Sequence, residues 1–136
     1  MPTNESTYPP LSAQRLEASL TTADVQRSRD WYRDVLGFTI TREFERDGKT
    51  FAVSLSAGDV RVLLTQDDAS RGADRAKGEG FSLQFTTTQD VDTLAERAKK
   101  SGAVLDTDPM TAWGARVFRL RDPDGFRLVF SSPREP

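Results

Sequence analysis

The stretch Asp24-Val25-Gln26-Arg27-Ser28-Arg29-Asp30-Trp31-Tyr32-Arg33-Asp34-Val35-Leu36-Gly37-Phe38 decides how the rest of the chain is read. Val25, Ser28, Trp31, Tyr32, Val35 and Leu36 recur at the spacing of one helix face. Asp24 stands where an N-cap side chain accepts from first-turn amides, and Gly37 where a helix ends in left-handed backbone. A second stretch has the same grammar. Val91, Leu94, Ala95 and Ala98 follow Asp90 and stop at Gly102, with Lys99 and Lys100 in the last turn, where the helix dipole favours positive charge.

Working outward, strand patterns surround both helices. Leu16, Ala18 and Leu20 alternate with polar residues, as do Phe51, Val53 and Leu55, and Val60–Leu64 follows the turn at Gly58-Asp59. The second half offers Phe81, Leu83 and Phe85, then Val117–Leu120, then Phe126–Phe130 after Asp124-Gly125. Weaker strand patterns leave each helix, at Phe38–Phe44 and Ala103–Leu105. Strand, helix and three strands therefore occur twice. Val25 to Val91 is 66 positions, Gly37 to Gly102 is 65, and Gly58 to Gly125 is 67, which is too concordant for chance likeness. A βαβββ unit of about 55 residues is too small to bury both faces of its sheet, so two must pair. The expected fold is α+β: two tandem βαβββ modules forming a curved mixed sheet around a cleft, each helix covering one outer face.

Composition narrows the chemistry. The 136 residues are 36% apolar and 29% charged with a net charge of −2, which fits one domain with a thin core in which eight Phe carry much of the packing. Without Cys there are no disulfides, thiolate zinc sites or cysteine nucleophiles; without His, the commonest metal ligand and neutral-pH base are missing. The balanced charge offers no broad basic surface for nucleic acid, and no apolar run is long enough for a membrane helix. Residues 1–14, polar with Pro9-Pro10, read as an arm without the apolar segment of a secretory signal, so the expected location is the cytoplasm. The layout that follows is a first module over 15–67, a linker over 68–80, a second module over 81–131 and a tail over 132–136.

The Asp24–Phe38 stretch, Asp90-Val91-Asp92, Trp113-Gly114 and Asp122-Pro123-Asp124-Gly125, in that order and at that spacing, resemble the vicinal oxygen chelate superfamily of glyoxalases, bleomycin resistance proteins and dioxygenases. The likeness covers roughly residues 15 to 131. In metal-dependent members, two His and a Glu, or a near variant, project into the cleft. By strand phase the corresponding positions here are Glu17, Leu63, Ser82 and Val129; Leu83 is the alternative to Ser82, but alternation groups it with Phe85 on the helix side. One carboxylate, one hydroxyl and two aliphatics fall short of the three or so nitrogen or oxygen donors such an ion needs. The expectation is no metal and no cofactor.

Glu17 reads as a general base, as a counter-ion to a cationic ligand with Arg61, Arg116 or Arg127 nearby, or as a solvated charge on an edge strand. Leu63 and Val129 read as apolar wall. Trp113 resembles the cleft-rim aromatic of drug-binding members, where a flat ring stacks on a ligand; the alternative is a core cap or dimer seam. Trp31 and Tyr32 read as packing. Phe51, Phe118 and Gln66 are candidate lining residues by strand position. The linker Gln66–Gly80, with charges of both signs, is either a solvated connection or a cover in which Arg71, Arg75 or Lys77 meets a ligand's anionic group. It holds no phosphate-loop motif. The implied ligand-binding set is Glu17, Phe51, Leu63, Ser82, Trp113, Arg116 and Val129. It belongs to a homodimeric small-molecule binder, or alternatively to a metal-independent isomerase or lyase with Glu17 as catalytic base. Neither nucleic acid nor membrane is an expected partner.

Overall fold

The computed structural model describes residues 7–72 and 75–133. The parts of the arm, linker and tail at 1–6, 73–74 and 134–136 lie outside the described residues. The element order is β1 (Glu17–Thr22), α1 (Val25–Trp31), β2 (Thr39–Arg46), β3 (Lys49–Ala57), β4 (Val60–Gln66), β5 (Ser82–Thr86), α2 (Val91–Lys100), β6 (Leu105–Ala112), β7 (Ala115–Arg121) and β8 (Arg127–Pro133). The strands form two four-stranded mixed sheets, ordered β1-β4-β3-β2 and β5-β8-β7-β6. In each the first strand runs parallel to the last and the other pairs are antiparallel. The two-module α+β arrangement is as expected. Among the described residues no helix is long and apolar enough to cross a membrane.

The helix signals are realised atom by atom. The Asp24 side chain accepts from the Arg27 amide, and Asp90 accepts from the Asp92 amide. After Trp31 the first helix widens into one π-type turn, Tyr32–Leu36, before Gly37 closes it at φ 85°. Buried Val25 lies on α1, which packs on β3 and β4; Tyr32 and Val35 are buried in the π-type turn that packs on α2, and Val91, Ala95 and Ala98 of α2 face the second sheet. Both faces feed one apolar cluster that spans the modules. The Phe residues connect it. Phe38 meets Phe85 edge-on at 6.0 Å across the modules, and Phe85 and Phe118 both stack on Phe130, at 4.7 and 5.2 Å.

Some strand limits differ from the sequence pattern. Leu16 precedes β1 and is exposed, because no strand pairs with it. Phe81 likewise precedes β5 and is half exposed. The strand expected at Ala103–Leu105 begins at Leu105 and runs to Ala112, through Pro109. Its register with β7 slips between Thr107 and Met110, and β6 is an edge strand. An edge with an irregular register is where a residue without an amide proton fits into a sheet.

A buried polar junction joins the modules. The Tyr32 hydroxyl donates to Asp122 Oδ2 at 2.6 Å, while Asp122 Oδ1 accepts the amides of Asp124 and Phe126, each at 2.9 Å. Asp124 accepts the Ala23 amide at 2.8 Å and the Ser28 hydroxyl at 3.2 Å. Lys77, almost wholly buried, lies between Asp67 at 2.9 Å and Asp124 at 3.7 Å. Burial pushes the Asp122 carboxyl above its ordinary value, against the pull of Tyr32 and the two amides. Burial and the Asp122 charge together push the Tyr32 phenol well above its own. The proton of the pair therefore stays on Tyr32, which donates. At the other end of the helix, Arg97 of α2 donates to the Arg33 and Asp34 carbonyls at 3.2 and 3.3 Å, and the Ser101 hydroxyl also reaches Asp34. The Arg33 carbonyl also accepts the Gly37 amide at 3.1 Å, so Arg97 adds to the helix's own closing bond there.

Candidate functional site

Strand alternation generates the site. On β5, Leu83 packs against the core and Phe85 is buried within it, so Ser82 and Gln84 point away from α2. The register puts Ser82 opposite Arg127 and Gln84 opposite Val129 on β8, and Val129 in turn opposite Arg119 on β7. This face of the second sheet floors a cleft of about 650 Å³. Ser82, Gln84, Arg119, Arg127, Val129 and Ser131 line its floor. Phe81, Ala112, Trp113, Ala115 and Val117 contribute the apolar lining.

Trp113 sits at the tip of the β6–β7 hairpin, 95% exposed, with φ 48°. The equivalent hairpin of the first module, between β2 and β3, turns on Asp47-Gly48, both at positive φ, as Trp113-Gly114 does here. Two-residue hairpin turns of this handedness favour Asp-Gly and Asn-Gly, because short polar residues and Gly tolerate left-handed backbone. A bulky ring there is an outlier. Trp113 makes no packing contact that offsets it, since its side chain stands almost wholly in solvent beside the cleft.

Of the seven residues expected to bind a ligand, Ser82, Trp113 and Val129 come together. Glu17 and Leu63 lie on the first sheet, Glu17 opposite Arg61 and Leu63 opposite Ser19 and Ser54, and neither lines this cleft. Phe51 is also on the first sheet, near Phe44, with the Arg46 guanidinium 4.7 Å above its ring. Alternation places Arg116 with Phe118 on the α2 side, where it grips Asp92 through two hydrogen bonds of 3.0 and 3.3 Å. Arg119, an odd number of residues further along the strand, lines the cleft in its place. Phe118 is fully buried, and Gln66 is spent on α1, accepting the Val25 amide and donating to the Ala23 carbonyl. The linker cations do not cover the cleft. Arg75 and Lys77 pair with Asp67, while Arg71 lines a separate polar hollow of about 290 Å³.

The sequence reading passed over Arg119, Gln84 and Phe81. Counting by twos from Val129 and Ser82, then across the register, is the signal that finds the first two. The four positions that the resemblance assigns to metal donors are split between two sheets of the chain. Among the described residues no three Asp or Glu side chains gather in a way that would hold a metal ion. A set of one carboxylate, one hydroxyl and two aliphatics does not fit such an ion.

A family model of the glyoxalase/bleomycin resistance protein/dioxygenase superfamily matches residues 15–130, and the chain belongs to that superfamily. Solved structures agree on the fold. A glyoxylase/bleomycin resistance protein/dioxygenase domain from Frankia sp. EAN1pec is 26% identical with a TM-score of 0.75, the match covering 93% of this chain and 95% of that one. TnmS3, an antibiotic binding protein from Streptomyces sp. CB03234, is 18% identical with a TM-score of 0.73, over 91% of this chain and 99% of that one. TioX from Micromonospora sp. ML1 is 22% identical with a TM-score of 0.71, over 89% and 99% respectively. No curated protein matches the chain.

Proposed function

We propose that this protein binds a small organic molecule in the cleft over the second sheet, without a metal ion, by stacking it on Trp113 and burying it against Phe81, Val117 and Val129. The observation that carries the reading is Trp113 itself. A strained, solvent-exposed Trp at a turn where the other module uses Asp is poor for stability, and strain of this kind persists where function uses it. The cleft volume of about 650 Å³ suits a ligand of drug size. The likeness in fold to an antibiotic binding protein supports the same reading.

The cleft is open and lined by the second module alone, so the reading includes a homodimer in which a second chain helps to enclose the ligand. The absence of Cys suits a reducing compartment such as the cytoplasm. The test is a titration of the Trp31→Phe variant, whose sole remaining tryptophan is Trp113, with a panel of aromatic antibiotics. Saturable change in Trp113 emission and a raised melting temperature support the reading. A panel-wide absence of both, repeated across the dimer's concentration range set by sizing in solution, overturns it. Elemental analysis of the same sample checks the metal: a stoichiometric transition metal contradicts the metal-free part.

A further inference from the structure

The two modules carry equivalent faces with different charge. In the first, the parallel register sets Glu17 opposite Arg61, so an acid and a base share that face. In the second, the equivalent pair is Ser82 opposite Arg127, and the acid is gone. One strand further over, the position beside Leu63 is Ser54, whereas the position beside Val129 is Arg119. The remaining guanidinium close by, Arg121, is taken by the lining carboxylate Asp106 at 3.3 Å. Three guanidiniums against one carboxylate leave two positive charges on the cleft floor. Neither the Arg119 nor the Arg127 side chain has an ion pair, hydrogen bond or ring contact among the described residues.

We infer that the cleft's ligand is an aromatic anion: a ring system that stacks on Trp113, bearing a carboxylate, sulfonate or phosphate gripped by Arg119, beside Val129 on β7, and by Arg127, two residues before Val129 on β8. The inference rests on the cleft reading above and adds the ligand's charge. Two planar guanidinium forks match an oxyanion in geometry as well as charge, and Ser82 and Gln84 supply neutral donors beside them. A neutral or cationic ligand would leave both cations facing its apolar body as it displaced their water.

The probes are 8-anilinonaphthalene-1-sulfonate and its uncharged counterpart N-phenyl-1-naphthylamine, titrated by fluorescence against the full chain. The sulfonate is expected to bind about tenfold tighter or better, the worth of one charge-assisted contact, and to weaken with added salt. The Arg119→Gln/Arg127→Gln double variant should bring its affinity down to that of the neutral probe and leave the neutral probe unchanged. Trp113→Ala should weaken both. If the two probes bind equally well and the arginine variant alters neither while Trp113→Ala still weakens both, the anion inference falls and the cleft reading stands. If neither probe responds to Trp113→Ala, both fall.

Discussion

The two modules share element order, hairpin turns and helix caps, yet they spend their polar residues differently. On the first sheet, Arg42 lies over the Phe44 ring at 4.5 Å and Arg46 over the Phe51 ring at 4.7 Å, so cations and aromatics are used on each other. On the second, Arg119, Arg127 and Trp113 stand in and around the cleft without such partners. The β3–β4 turn of the first module, at Gly58-Asp59, is exposed, whereas the β7–β8 turn at Asp122–Gly125 is driven into α1. A duplicated fold has thus divided its labour. The second module holds the first helix by both ends, and the cleft-lining face of its own sheet stays open.

The difference between the turns is testable by matched substitutions. Asp122→Ala leaves the Tyr32 hydroxyl and two buried amides without an acceptor, and is expected to lower the unfolding free energy by about 3 kcal/mol or more. Asp59→Ala in the exposed turn is expected to change it by less than about 0.5 kcal/mol. Urea unfolding of both variants decides it, and equal effects would mean that the second turn is no junction.

A smaller effect separates the ends of the two helices. Ala at either Gly37 or Gly102 must adopt left-handed backbone, which costs about 1–2 kcal/mol. Only at Gly37 does a new Cβ meet a neighbour, the Arg97 guanidinium at 2.6 Å, and displacing it also loses the bonds to the Arg33 and Asp34 carbonyls. Gly37→Ala should therefore be the worse of the two by about 1 kcal/mol, judged from denaturant midpoints. Indistinguishable midpoints would show that Arg97 gives nothing to the junction.

The smallest effect is a pH dependence. Because the folded protein holds the Asp122 proton more tightly than the unfolded chain does, this residue's contribution falls as pH rises from the carboxyl's ordinary value, 3.8, through its raised folded value. Below that window it is fully present. Asp122→Asn removes the titration, so the variant's stability relative to the native protein should improve across the window and then level off. Asp67, which Lys77 holds below the ordinary carboxylate range, titrates with the opposite sign in both proteins and cancels in the difference. A difference that stays flat as pH rises from the carboxyl's ordinary value, 3.8, to neutrality would rule the mechanism out.

Local periodicity and turn chemistry determined a great deal. Asp24, Asp90, Gly37 and Gly102 mark their helix ends by side-chain reach and backbone freedom alone, and alternation puts Ser82 and Leu83 on opposite faces of β5. Alternation assigns a face only when the count has a fixed origin. Arg116 is three residues from Arg119, an odd step, so it belongs to the opposite face, and the buried Phe118 between them is the marker that fixes the phase. The repeat in the sequence stated that two faces exist, but strand pattern has no term for which face meets which. The pattern therefore groups Glu17, Leu63 and Phe51 with Ser82 and Val129, whereas the fold sets them on a separate sheet.

The aspartates of Asp122-Pro123-Asp124-Gly125 show the same boundary from the other side. As sequence they make a turn. Only tertiary packing brings Tyr32, 90 positions away, within 2.6 Å of Asp122 and makes that turn the junction between modules. The physical reason is the range of the forces involved. Backbone sterics and hydrophobic period act over a few residues and are written into neighbours, whereas burial, register and the pairing of charges depend on residues that the chain brings together only when it folds.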